Sequence, residues 1–242
     1  MKLSVNILTW NTIKTLRETL AILETELQGI ESEIVIVDNG SNDGCQDYAT
    51  IKNQQNMGVS IGKNQGIDAS QGDCILLLDG DIVPVPNSIR CLVHHLDNTP
   101  ECSAVGFMPN RFCNTKNGEY EKFCHKLDPI RQHRGHCVYF GMYRRSVWKN
   151  TDGTNNVRFD ENYAVGYGWE DLDIYMQMKE RGIKQWVAGI NHECGKYYHE
   201  INSSIRQMGF QTYMSTSMKR SQIFKQKWGE ALNAGERIAQ PS

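Results

Sequence analysis

Three short apolar runs, each stopping at a polar turn, alternate with helical patterns and commit this chain to an α/β architecture. The first, Leu3 to Leu8, ends in Thr-Trp-Asn. The second, Glu33 to Val37, runs into Asp-Asn-Gly-Ser-Asn-Asp-Gly, a dense turn signal. The third, Cys74 to Leu78, ends at Asp79-Gly80-Asp81. Between the first two, Leu16, Leu20, Leu23 and Leu27 recur at helical spacing, and Gly29 supplies a stop. Strand, helix, strand in this order predicts a parallel pair with a right-handed crossover. Ligands of open parallel sheets gather outside the carboxyl ends of the strands. Asp38 and Asp79 are therefore expected in one crevice.

Further along, helices are predicted over Gly62 to Ala69 and Ser88 to Leu96, and Tyr139 to Trp148 reads as strand turning into helix. Glu170 to Arg181 is a helix closed by Gly182, and Lys184 to Ala188 a strand. Pro100 to Cys137 mixes short strand signals with loop and basic residues and shows no clear period. From Ser203 onward, polar residues with scattered apolar positions predict a helical extension with a frayed end.

A length of 242 residues can bury a full core without disulfides. The formal net charge of -2 argues against a general polyanion binder, and stable nucleic-acid binding is not expected. The eight cysteines contain no CxxC pair, and Cys74 lies in an apolar run. They read as reduced thiols of a cytoplasmic protein. No signal-peptide pattern opens the chain, and no segment approaches the ~18 apolar residues of a membrane span, so a soluble protein is expected.

Three motifs can carry chemistry. In CILLLDGDIVPVP, Asp79 and Asp81 offer hard carboxylate oxygens suited to Mn2+ or Mg2+, and Gly80 lets the backbone approach a ligand. In VGYGWEDLDIYMQMKERG, Glu170, Asp171 and Asp173 open a helix directly after Tyr167 and Trp169. Aromatic faces beside carboxylates suit a sugar, one to stack on and one to take a hydroxyl proton. In VDNGSNDG with NMGVSIGKNQGI, Asp38 and Asn39 can bind a base and ribose, and Lys63 can reach a diphosphate. Singly, each has an ordinary structural reading: a capping turn, acids at the positive end of a helix dipole, a turn before a helix. Weaker features are the basic stretch Arg131 to His136, the pair Arg144 and Arg145 (starting a helix near the acceptor, with Arg145 equally readable as a surface residue), and a basic tail. That tail, with Lys219, Arg220, Lys225, Lys227, Phe224 and Trp228, suits a solvated helix face or peripheral contact with a membrane.

Taken together, ILTWN, EIVIVDNGSNDG, NMGVSIGKNQGI, CILLLDGDIVPVP and FGMYRRSVW resemble, in order, glycosyltransferase family 2 and its GT-A relatives. FDENYAVGYGWEDLDIYMQMKERG is also similar to the acceptor motif of the β-1,4-galactosyltransferase type. The resemblance implies a Rossmann-like, mixed and mostly parallel sheet flanked by helices. It implies one domain over residues 1–202, with a nucleotide-sugar half (1–100) and an acceptor half (101–202), before a helical extension at 203–242. It further implies that Thr9, Asn11 and Asp38 hold base and ribose, while Lys63 lies along the diphosphate. Asp79, with Gly80 beside it, would meet ribose and metal, and Asp81 would be the main metal ligand. His192 would be a further ligand, with His199 as its rival. Asp171 would be the general base, Glu170 would orient the acceptor, and Trp169 and Tyr167 would line its site. The implied activity is inverting transfer of a hexosyl or hexosaminyl group from a nucleotide-diphosphate sugar, UDP favoured, to a hydroxyl of a glycan or other acceptor, with Mn2+ or Mg2+. The competing readings are a nucleotidyltransferase that makes sugar nucleotides and a silent carbohydrate-binding protein on the same fold. TWNTIKT, without a glycine run, speaks against the first, and the intact acids speak against the second.

Overall fold

The structure, a computed structural model, describes residues 1–84, 86–107, 131–132, 139–163, 168–187, 197–199, 207 and 209–233. Its strands in chain order are β1 (Leu3–Thr9), β2 (Ser32–Asp38), β3 (Ile51–Lys52), β4 (Cys74–Asp79), β5 (Ile82–Pro84), β6 (Ala104–Gly106), β7 (Arg131–Gln132), β8 (Phe140–Arg144), β9 (Gln185–Val187) and β10 (Tyr197–His199). The helices are α1 (Ile13–Glu26), α2 (Val59–Ala69), α3 (Ser88–Asn98), α4 (Arg145–Trp148), α5 (Glu170–Glu180) and α6 (Phe210–Asn233). The main sheet runs β3-β2-β1-β4-β8-β6-β9-β7, with β8 and β7 antiparallel to the rest. β10 and β5 form a separate antiparallel ribbon. This is the mixed, mostly parallel GT-A-like sheet with a C-terminal helix that the motifs led one to expect.

The central strands read as almost unbroken apolar runs because both their faces are covered. Along β4 the period of two sorts the side chains. Leu76 and Leu78 join Leu3, Val5, Ile7, Leu16 and Leu23 in one cluster. Ile75 and Leu77 join Ile67, Tyr143, Trp148, Phe159 and Ile174 in another. Each fully buried leucine or isoleucine contributes roughly 1.5–3 kcal/mol of transfer free energy.

Polar side chains from distant segments finish the helix ends. The Ile13 N–H donates to Asp43 at 2.8 Å, so the SNDG turn after β2 caps α1. At the far end of α1, buried Glu26 accepts from Asn87 N at 2.6 Å and Ile89 N at 3.1 Å, capping α3. Helix α2 starts at Val59, three residues before the apolar pattern predicts, and its small residues lie close on β1. A Cβ at Gly62 would stand 2.4 Å from Leu8 Cδ1, and one at Gly66 2.1 Å from Asn6 Nδ2. Only a glycine face lets α2 sit this near the strand.

The remaining sequence expectations divide. Cys45, Cys74, Cys91 and Cys102 are buried and outside any disulfide, and burial pushes the Cys74 thiol up to about 11 and the Cys102 thiol up to about 12. These are inert, hydrophobe-like thiols. Cys113, Cys124, Cys137 and Cys194 lie outside the described residues. Among the described residues no helix is long and apolar enough to cross a membrane. Arg144 and Arg145 do not lie near the crevice. Arg144 sits opposite Cys74, at the end of β4 away from Asp79, and donates to Leu96 O and Cys102 O. Arg145 donates to Ser70 O. Both arginines tie off backbone at the end of the central strands opposite Asp79. The basic tail is likewise not a free amphipathic face: Arg220, Phe224 and Trp228 are buried, which removes them from any membrane-facing surface, while Lys219 and Lys225 stay exposed.

Candidate active site

Strands β2, β1 and β4 end side by side, with Thr9 opposite Asp38 and Leu8 opposite Asp79. Asp38 is buried, and both its carboxylate oxygens accept from Ser41 N, at 3.3 and 3.2 Å. The Thr9 hydroxyl shares a 2.7 Å hydrogen bond with Thr12 and donates to the Cys45 sulfur, so its side chain is engaged inside the fold. Asn11 has a left-handed backbone (φ 52°), its N–H donates to Ser41, and its side-chain oxygen accepts from Asn42 N. Buried Asn39 accepts from Met57 N and Asn53 Nδ2 and donates to Gly58 O. Asn53 in turn holds Gln65. This amide network fixes the approach to α2 from the tip of β2.

Helix α2 delivers a cation to this rim. Lys63, 3% exposed, pairs with Asp79 at 2.6 Å, and Asp79 is 32% exposed. Gly80 is pressed against β1: its N–H donates to Leu8 O at 2.7 Å, and a Cβ there would lie 2.8 Å from Leu8 O, Thr12 Oγ1 and Thr9 Cα. Any other residue would lift the Asp79–Asp81 turn off the strand. The donor chemistry of this turn fits Mg2+ or Mn2+, because two hard carboxylates flank a residue that cannot carry a side chain. Among the described residues no group of three metal-binding side chains gathers. His192 lies outside the described residues. His199 lies in β10, opposite Ile82, one residue beyond Asp81.

The acceptor-side acids open α5. Trp169 precedes it with φ 77°, an unusual conformation for a bulky residue, and its ring centroid is 5.3 Å from that of Phe224. Asp171 is half-buried on the first turn. Glu170 is buried and pairs with Arg220 at 2.7 Å. Burial, then the neighbouring charge of Asp171, pushes the Glu170 carboxyl up to about 7, against the opposing pull of Arg220 and Lys63. Lys63 thus acts on both acid groups, by contact with Asp79 and through its field at Glu170. Asp173 is also buried; it accepts from Trp228 Nε1 at 2.7 Å and from Lys227 and Gln177. Tyr167 lies outside the described residues.

Three residues that the motifs did not single out for the site join these parts. Asn64, beside Lys63, donates to Phe159 O at 2.9 Å and accepts from Phe159 N at 3.2 Å. Arg220 and Lys227 hold the acids from α6. Their spacing of seven, on one face with Phe224 and Trp228, was the available signal.

The family profile of Glycosyl transferase family 2 matches residues 4–152. The chain belongs to glycosyl transferase family 2. Among the similar proteins, the glucosyl-dolichyl phosphate glucuronosyltransferase of Haloferax volcanii is 25% identical over 90% of this chain and 77% of its own length. The dolichol-phosphate mannosyltransferase of Pyrococcus furiosus is 30% identical over 40% of this chain, which spans only 31% of that protein. Among solved structures, S. aureus TarS 1-349 matches with TM-score 0.59 at 18% identity, over 86% of this chain and 63% of that one. The structure of GalNAc-T7 with UDP, GalNAc and Mn2+ matches with TM-score 0.58 at 14% identity, over 78% of this chain and 42% of that one. These structural likenesses carry the fold. The family 2 match stops before the Gly/Trp loop and the Glu170–Asp171 helix, which belong to the part of the chain beyond residue 152.

Proposed function

We propose that this family 2 protein is an inverting transferase that moves a sugar from a UDP-sugar to an acceptor hydroxyl. The observation that carries the reading is the position of Lys63: 2.6 Å from Asp79 on the donor rim and 5.7 Å from the ring centroid of Phe159, at the root of the stem that leads to Glu170 and Asp171. Helix α2 thus links the two parts, with Lys63 on the donor rim and Asn64 holding Phe159 on the acceptor side. Asp38, with the loops that Asn11 and Asn39 organise, lines the place for base and ribose, and Lys63 meets the diphosphate. Asp79 and Asp81 would hold a divalent cation, with His192 as a further ligand and His199 as its rival. Such a cation, when bound, offsets the negative charge that develops on the departing diphosphate. Asp171 takes the proton of the acceptor hydroxyl, whose oxygen attacks the anomeric carbon as the bond to the diphosphate breaks and UDP leaves. Trp169 and Tyr167 border the acceptor, and Glu170 orients this side of the cleft. Relatives named for glucosyl-dolichyl phosphate and dolichol phosphate favour an acceptor built on a lipid phosphate, with or without a sugar already attached.

The test is release of UDP from a panel of UDP-hexoses and UDP-N-acetylhexosamines with Mn2+, using wild type and Asp171→Asn. The expected result is retained UDP affinity and turnover reduced by a factor of about 100 or more. Substantial turnover by the variant would remove Asp171 as the base.

A further inference from the structure

Helix α6 lies outside the family-matched segment, yet its charges reach both stems of the loop that carries the acceptor-side residues. Arg220 donates to Tyr163 O on the incoming stem, and to Gly168 O (2.9 Å) and Glu170 (2.7 Å) on the outgoing one. Lys227 repeats the pattern, reaching Asp160 at 2.8 Å on the incoming stem and Asp173 at 2.9 Å on the outgoing one. Trp228 adds a 2.7 Å bond to Asp173, and Phe224 packs between the two cations with Tyr163, Leu172 and Met176. Each cation therefore ties the two stems together, and the two residues on outgoing positions 170 and 173 flank Asp171. From the other side, Asn64 on α2 holds Phe159 at the root of the incoming stem.

We infer that α6 is a brace for the acceptor side of the active site, and that Arg220 and Lys227 are positioning residues that set where Asp171 and Trp169 stand. The role in transfer rests on the reading of Asp171 as the base, whereas the mechanical role does not. Three acids held by two cations across a loop define a spacing in a way that apolar packing alone would not, since each bond fixes a direction as well as a distance. The charges are also arranged so that neither stem can move without leaving a buried carboxylate or carbonyl unsatisfied.

Hydrogen exchange on the 242-residue chain separates the mechanical role from the role in transfer. In Arg220→Met, exchange over residues 159–173 should rise by about tenfold or more, while β1, β2 and β4 stay within about twofold of wild type. Lys227→Met, whose side chain is 34% exposed, should fold in any case and show the same local rise. UDP affinity with Mn2+ should be retained in both, with UDP release from UDP-sugars slowed about 10- to 100-fold and partly restored in Arg220→Lys. Unchanged exchange over 159–173 in Lys227→Met, or a rise spread equally over β1, β2 and β4, would overturn the brace. A local rise in exchange with turnover unchanged would overturn the positioning role. Wild-type protein that neither binds nor turns over a nucleotide sugar would instead count against the transferase reading, and the exchange data would still decide the brace.

Discussion

Glu170→Gln converts an unusual proton affinity into a stability measurement. Glu170 is 5% exposed, and its carboxyl is pushed from the ordinary 4.5 up to about 7, first by burial and then by Asp171. A folded-state value above the unfolded one means that the native protein holds this proton more tightly than the unfolded chain does. The resulting stability is fully present below about pH 4.5 and is lost as pH rises toward 7. At ~1.4 kcal/mol per unit, the full window amounts to roughly 3–4 kcal/mol. Glutamine has no proton to lose, and Arg220 stays charged throughout, so the variant lacks this term. Urea unfolding at pH 5, 6, 7 and 8 should show wild type losing stability relative to Glu170→Gln by up to ~3 kcal/mol across the series. In a chain of this size that corresponds to a relative shift in melting temperature of about 2–4 °C per kcal/mol. A difference that stays flat with pH would refute the reasoning. So would one that grows in favour of wild type as pH rises, the behaviour of a carboxylate locked in its ionised form by Arg220.

Gly80→Ala forces a Cβ to within 2.8 Å of backbone atoms of Leu8 and Thr9, and overpacking of this kind costs about 1–3 kcal/mol. Calorimetry should show the lower melting temperature, and titration should show weaker Mn2+-dependent UDP binding, because the Asp79–Asp81 turn is displaced. Asn64→Leu strands the Phe159 N–H and C=O in the interior, so a loss of roughly 2–5 kcal/mol is expected in urea unfolding. A loss below about 0.5 kcal/mol, the surface norm, would mean that Asn64 is not a tie between α2 and the acceptor stem.

The parallel half of the fold was legible because its strands announce themselves twice, as apolar runs and by ending at acids in turns. Helix α2 was read short: its residues before Gly62 carry little amphipathic signal, and its packing face is made of glycines rather than large apolar groups. The β5–β10 ribbon pairs Ile82 with His199, and no local pattern reports a partner so distant in sequence. The same separation hid the role of α6. Arg220 and Lys227 looked like solvated charges because their partners, Glu170 and Asp160, lie 50 and 67 residues earlier. Glu170 and Asp171 were legible as a pair of acids at a helix start, whereas their different surroundings, one buried on an arginine and one half-exposed, exist only in three dimensions.

The central claim is a metal-assisted nucleotide-sugar site at Asp38, Lys63, Asp79 and Asp81, and thermal shift with UDP, GDP, CDP and dTDP, each with and without Mn2+, tests it most directly. A ligand at 100 times its dissociation constant stabilises the native state by about 2.7 kcal/mol, a shift of several degrees. The account predicts that shift for UDP with Mn2+, a smaller one or none without the metal, and its loss in Asp81→Ala. Folded protein that responds to none of the four nucleotides, with or without Mn2+, would contradict it.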